Sequence, residues 1–172
     1  MNISSVLDKL YLHAFDMVKF GETKNTALIA FNGAIILGMA KLAADAGSIY
    51  VYYYALFAIA MCVVSIFICF SALIAKIKQK PNDFALPHND NPLFFATVAH
   101  MTHEELIAKL TSYYGCVSES AGYETDLAKQ AIITSQIASR KYKLFNIAIG
   151  FTFSGIATPV SILFYLLLLN RD

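Results

Sequence analysis

Three stretches of the chain carry no Asp, Glu, Lys or Arg, at 25–40, 46–75 and 144–170, and charged and polar positions return between them. A bilayer core about 30 Å thick needs about 20 apolar residues at a rise of about 1.5 Å each. The second and third stretches exceed that length. The first is marginal, and Lys41 lies near its end, where a lysine can extend its amine to the headgroups. The pattern therefore predicts membrane-spanning helices over about 26–44, 48–75 and 144–169. Tyr50, Tyr52, Tyr53 and Tyr54 at the start of the second suit an interfacial aromatic belt.

Outside these spans the periodicity changes. Ile3, Val6, Leu7, Leu10, Ala14, Met17 and Val18 recur every three or four residues, with Asp8, Lys9, Asp16 and Lys19 on other faces, which is the stripe of an amphipathic helix. Its polar face is not rich in lysine, so the expected partner is other protein helices rather than a lipid surface. Pro81, Asn82, Asp83, Pro87, Asn89 and Asp90 mark a connecting loop. Asn91-Pro92-Leu93-Phe94-Phe95 follows as an apolar plug. Thr102-His103-Glu104-Glu105 has capping-box spacing and starts a short helix to about Tyr113. From Asp126 onward no Gly or Pro interrupts the chain before the third span, which predicts one long helix entering the membrane.

Lys and Arg cluster on one side of the spans: Lys19 and Lys24 before the first, Lys76, Lys78 and Lys80 after the second, and Arg140, Lys141 and Lys143 before the third. Positive flanks stay in the cytoplasm. The expected topology has the N-terminus inside and the C-terminus outside. It divides the chain into a cytoplasmic amphipathic helix at 1–25, a two-span hairpin at 26–75, a cytoplasmic helical segment at 76–143, and a third span with a short external tail at 144–172. The fold class expected is an all-α membrane protein with three transmembrane helices and a small cytoplasmic helical module. The segment between the second and third spans is thin for an independent core, so it is expected to fold with the N-terminal helix.

Composition agrees with this reading. Of 172 residues, 58% are hydrophobic and 15% charged, against about 25% charged in soluble domains, and mean hydropathy is +0.57. A net charge of +1 gives no field for non-specific nucleic-acid binding. Cys62, Cys69 and Cys116 suggest no disulfide framework. Charges from Asp8 to Lys24 make a cleaved secretory signal a poor fit.

Candidate chemistry is sparse. His13, His88, His100 and His103 lack the ligand spacing of a zinc site, and no nucleophile, phosphate-loop or paired-carboxylate motif is present, so no metal, catalytic residue or enzyme activity is expected. The spans carry more. Ala30, Ala34 and Gly38 share a face of the first; Ala55, Ala58, Cys62, Ser65, Cys69 and Ala72 share one on the second; Gly150, Ser154 and Thr158 stack on the third. Small residues so spaced let helices approach closely in lipid, within the bundle or between copies. Ser154, Thr158, Ser161 and Tyr165 give the third span a polar edge, and Pro159 predicts a kink. Asn32 and Asn146 require polar partners in lipid and should face protein.

Four segments in order carry a resemblance to a known family: 22–33, opening Glu22-Thr23-Lys24-Asn25; Asn91-Pro92-Leu93-Phe94-Phe95; Asp126-Leu127-Ala128-Lys129-Gln130; and Ile137-Ala138-Ser139-Arg140-Lys141-Tyr142. The chain resembles the transmembrane effectors of Pycsar antiphage systems along most of its length, departing at Glu22, where Asp is usual, and at 96–99, where a Gly-His pair is usual. The resemblance implies a bacterial inner-membrane effector, multi-pass with a cytoplasmic N-terminus. It also implies a cognate pyrimidine cyclase whose cyclic CMP or cyclic UMP triggers membrane damage and abortive infection, with the bilayer and further copies of the chain as partners. The regulatory ligand stands in place of any cofactor. Lys24, Arg140, Lys141 and Lys143 are candidates for its single phosphate charge, and Asn25, Asn91 and Gln130 for its base edge. The same cations also serve as orientation-setting flanks. The rival readings are a constitutive holin-like or structural membrane protein without a nucleotide ligand, and a membrane-anchored adaptor.

Overall fold

A computed structural model describes residues 2–74, 91–117 and 121–169, with side chains in the last stretch described for 122–157. Lys76, Lys78 and Lys80, the loop expected at 80–91 up to Asp90, and the side chains of Thr158, Pro159, Ser161 and Tyr165 lie outside the described residues. The elements are α1 (Ile3–Ala44), α2 (Ile49–Leu73), α3 (Phe95–Val98), α4 (His103–Tyr114) and α5 (Ala121–Leu169). The described residues are otherwise joined by turns, with one isolated bridge between Asn2 and Val117. The chain divides into two compact units, Met1–Glu22 with Ala75–Tyr142, and Thr23–Ile74 with Lys143–Asp172.

In the first unit, the apolar stripe of α1 is the core. Ile3, Val6, Leu7 and Leu10 pack with Val98, Leu106, Leu110, Cys116, Ala128, Ala131 and Ile132. The helix is therefore held by protein partners on its apolar face, as its lysine-poor polar face suggested. Ser4 Oγ donates to Glu124 Oε1 at 3.2 Å and Lys141 Nζ donates to Glu22 Oε1 at 2.9 Å, so residues about 120 apart pair at both ends of the contact and α1 runs parallel to this part of α5. Glu124 is 1% exposed and lies against the first turn of α1, where a carboxylate complements the helix dipole.

Helix α4 is set by its caps. Thr102 Oγ1 accepts from the Glu105 amide at 3.2 Å, and Glu105 Oε2 accepts from the Thr102 amide at 3.0 Å. Gly115 ends the helix at φ 59°, a left-handed conformation in which its amide reaches the Thr111 carbonyl. The helix buries Leu106 and Leu110. In the apolar plug before α3, Pro92 is buried and Phe95 half-buried, while Leu93 and Phe94 stay exposed.

The second unit is built from the remaining lengths of α1 and α5 and the whole of α2. Both α1 and α2 contain stretches long and apolar enough to cross a membrane. The six small residues on one face of α2, Ala55, Ala58, Cys62, Ser65, Cys69 and Ala72, are all buried. Large side chains, Phe57, Val63, Val64, Phe67 and Phe70, occupy its exposed face. Contacts pair Asn32 with Ser65 and Thr152, and Leu28 with Cys69 and Ala148. Rising numbers on α1 and α5 match falling numbers on α2, so α2 runs antiparallel to both. Gly155 is required where α5 meets α2, because a Cβ there would stand 2.9 Å from Met61 Cβ and 3.4 Å from the Ala58 carbonyl oxygen.

Two small-residue stripes fall elsewhere than the packed seam. Ala30, Ala34 and Gly38 of α1 are exposed, as are Gly150 and Ser154 of α5. The buried line of α5 is Ala148, Thr152 and Gly155 instead. Its phase matches that of Thr152, whose hydroxyl reaches Asn32 and Ser65 on that side.

Candidate functional site

The first unit gathers side chains from three separate segments around the end of its α5 portion. Lys141 is 6% exposed, and its stem passes over Gly21, where a Cβ would meet Lys141 Cβ at 3.2 Å. The absence of a side chain at Gly21 leaves room for the lysine to lie along the helix surface and reach Glu22 one residue on. Next to it, the Tyr142 ring centroid lies 5.7 Å from that of Phe95 and 6.5 Å from that of Phe20, and its hydroxyl is 3.6 Å from Met17 Sδ. These are edge-tilted aromatic contacts within the range where ring pairs attract. Burial pushes the Tyr142 phenol above its ordinary value, so it stays neutral.

Glu22, Phe95, Lys141 and Tyr142 come from parts of the sequence more than 40 residues apart, apart from the last two, yet share one cluster. A covered cation that pairs with a half-exposed carboxylate is suited to trading that carboxylate for another anion. Arg140 is half-buried and precedes it directly. Gln130 is exposed on the same helix about 15 Å away along the axis. Asn91 is exposed, and its side-chain oxygen accepts from the Leu93 amide at 2.9 Å, closing the turn into the Phe pair.

The other nominated residues belong to the second unit. The Lys24 ammonium stands 5.5 Å from the Phe145 ring centroid, within cation–π reach. Asn25 is fully buried, and Lys143 is exposed. Among the described residues no group of three or more His, Cys, Asp or Glu side chains is arranged to hold a metal. His103 instead stands 2.9 Å from Glu104 at the surface.

Sequence reasoning missed Glu22 as the partner of Lys141, because the two lie 119 positions apart and only the parallel packing of α1 and α5 brings them together. It anticipated a partner for Asn32 but missed which one. Asn32 Nδ2 donates to Ser65 Oγ at 2.9 Å, and Thr152 Oγ1 donates to Asn32 Oδ1 at 2.9 Å. The available signal was the register: Ser65 was already on the small-residue face of α2, and Thr152 lies one turn beyond Ala148. Asn146 is exposed within this chain.

The Pycsar effector protein domain family (PycTM) matches this chain over residues 6–168. No curated protein and no solved structure matches it.

Proposed function

The chain belongs to the Pycsar effector family, and from that premise we propose that it is a membrane effector of antiphage defence that a cyclic pyrimidine nucleotide, cyclic CMP or cyclic UMP, switches into a membrane-disrupting state. The family is one of effectors and not a known enzyme family. The first unit is the cytoplasmic sensor and the second the membrane part. In this reading α5 supplies a third span over 144–169 beside those of α1 and α2. Its 26 residues extend about 39 Å, ample for an apolar core of about 30 Å. The N-terminus is cytoplasmic, the membrane is the bacterial inner membrane, and several copies act together to cause abortive infection.

The observation that carries the sensing half of this reading is the meeting of Glu22, Phe95, Lys141 and Tyr142. A cyclic nucleotide brings one phosphate charge and one base with a π face. Lys141 and Arg140 offer charge-assisted donors for the phosphate, which competes with Glu22 for the Lys141 ammonium. Lys24 and Lys143 are further phosphate candidates, each with a sufficient role as an orientation-setting flank. Asn91 and Gln130 are exposed and can approach a base edge, Asn91 through its amide nitrogen because its oxygen closes the turn to Leu93, whereas Asn25 becomes available only if the helices part. A ligand that binds the open arrangement more tightly shifts the population toward it, which is all that activation requires.

Calorimetric titration of the detergent-solubilised full chain tests this. Cyclic CMP or cyclic UMP should bind and cyclic AMP should not, and Lys141→Met and Arg140→Ala should each weaken binding by about tenfold or more, the worth of a hydrogen bond to a charged group. Unchanged affinity in both variants would remove this cluster as the sensor.

A further inference from the structure

Among its described residues the second unit has a layer of polar side chains contributed by all three of its helices. Asn32 of α1, Ser65 of α2 and Thr152 of α5 are 0%, 0% and 2% exposed. Asn32 Nδ2 is 2.9 Å from Ser65 Oγ, Thr152 Oγ1 is 3.0 Å from Ser65 Oγ, and Thr152 Oγ1 is 2.9 Å from Asn32 Oδ1. Each hydroxyl has one proton to give. The Thr152 proton has three acceptors in reach, Asn32 Oδ1, Ser65 Oγ and, at 3.3 Å, the Ala148 carbonyl of its own helix; given to the nearest, Asn32 Oδ1, it leaves the Ser65 proton to turn to Thr152, and the ring then closes with one donated bond from every helix to the next.

The layers on either side are different in kind. One turn away on all three helices lie Leu28, Cys69 and Ala148, which pack without polar bonds between them. On the other side Gly155 closes against Ala58 and Met61. Close packing at this depth is thus achieved by small and apolar residues alone. A polar layer is not needed to fill the space. Buried polar residues in helical seams instead fix one register and one set of partners, at some expense in stability. In hydrocarbon their effect is sharper, since groups separated from one another find no solvent to replace the lost bonds.

Resting on the reading above that the protein breaches the membrane, we propose that the Asn32–Ser65–Thr152 ring is the latch that holds the three helices of the membrane unit sealed, and that its opening is the step that activation brings about. Intact, the ring gives each helix one bond to each neighbour, so no helix can rotate or withdraw without breaking two of them. Once broken, the three groups favour an arrangement in which water reaches them, and a watered path between the helices is a leak.

The test uses the full chain in vesicles loaded with a self-quenching dye. Thr152→Val keeps the shape and removes the hydroxyl; Thr152→Ser keeps the hydroxyl. Without any nucleotide, T152V should leak about 3- to 18-fold faster than wild type, the range that interhelical hydrogen bonds in membranes confer, and T152S should match wild type. T152V as tight as wild type overturns the latch, whether or not cyclic CMP or cyclic UMP acts on the wild-type protein. If T152V loses helicity by circular dichroism, the decision passes to Ser65→Cys with Thr152→Cys, in a chain whose Cys62, Cys69 and Cys116 are Ala. Oxidised, that pair should stay sealed where its reduced form leaks. Equal leakage, or none, in both forms overturns the latch. Failure of wild-type protein to respond to either nucleotide counts against the sensing reading alone.

Discussion

The ammonium of Lys141 lies 2.9 Å from a carboxylate oxygen of Glu22, and the two side chains are unequally covered, 7% exposed for the lysine and 50% for the glutamate. Removing the carboxylate leaves a covered charge without this partner, whereas removing the ammonium leaves a carboxylate that water already reaches. Glu22→Gln should therefore destabilise the protein by about 1–2 kcal/mol, and Lys141→Met by less than about 1 kcal/mol, below the full buried-pair range because one member is half-solvated. Denaturant unfolding of the two variants checks the order. Equal losses would mean that the lysine is solvated in practice.

The two close glycine contacts should respond oppositely to a methyl group. Gly155→Ala brings Cβ to 2.9 Å from another Cβ, which cannot swing aside, so helices α2 and α5 must shift at an expected cost of about 1–3 kcal/mol. At Gly21 the nearest atom is 3.2 Å away, and the strain is offset by the roughly 1 kcal/mol that Ala gains over Gly in a helix. Gly21→Ala should be close to neutral. Thermal unfolding in detergent compares them directly.

Ser135 and Ser139, one turn apart on α5, have buried hydroxyl oxygens with no hydrogen-bond partner among the described residues. A covered hydroxyl without a partner is unfavourable, and Ala is the better helix former. Ser135→Ala should raise stability by about 1 kcal/mol, the opposite of most core substitutions. A loss of stability would show that the hydroxyl is bonded in solution.

The Tyr142 phenol, raised by burial, gives a pH dependence of known sign. Its folded-state value exceeds the unfolded one, so the stability it contributes is complete below about pH 10 and falls as pH rises through the folded value. Tyr142→Phe should remove that part of the alkaline loss. Unfolding curves collected from pH 8 to about 11 for both proteins read it.

What the sequence made legible were features governed by neighbours along the chain. The Thr102–Glu105 capping box, the apolar stripe from Ile3 to Leu10, and the small-residue face of α2 all depend on spacings of three or four residues, and each has the expected place. The packed faces of α1 and α5 in the second unit were not legible in the same way. Ala30, Ala34 and Gly38 form as good a stripe as the one on α2, yet it is Leu28 and Asn32 that face inward. The choice between two stripes on one helix rests on partners far away in sequence, here the hydroxyls of Ser65 and Thr152. The ligand candidates show the same limit. Arg140 and Lys141 were visible as adjacent cations, but the covering of one by Gly21, Glu22 and their neighbours follows only from the parallel register of α1 and α5.

Dye release from vesicles containing the purified full chain tests the central claim most directly, with cyclic CMP, cyclic UMP, cyclic AMP or no nucleotide added. The account predicts rapid release with one or both cyclic pyrimidine nucleotides and a tight vesicle with cyclic AMP or none. Release that is equally fast with no nucleotide would contradict it and favour a constitutive, holin-like protein.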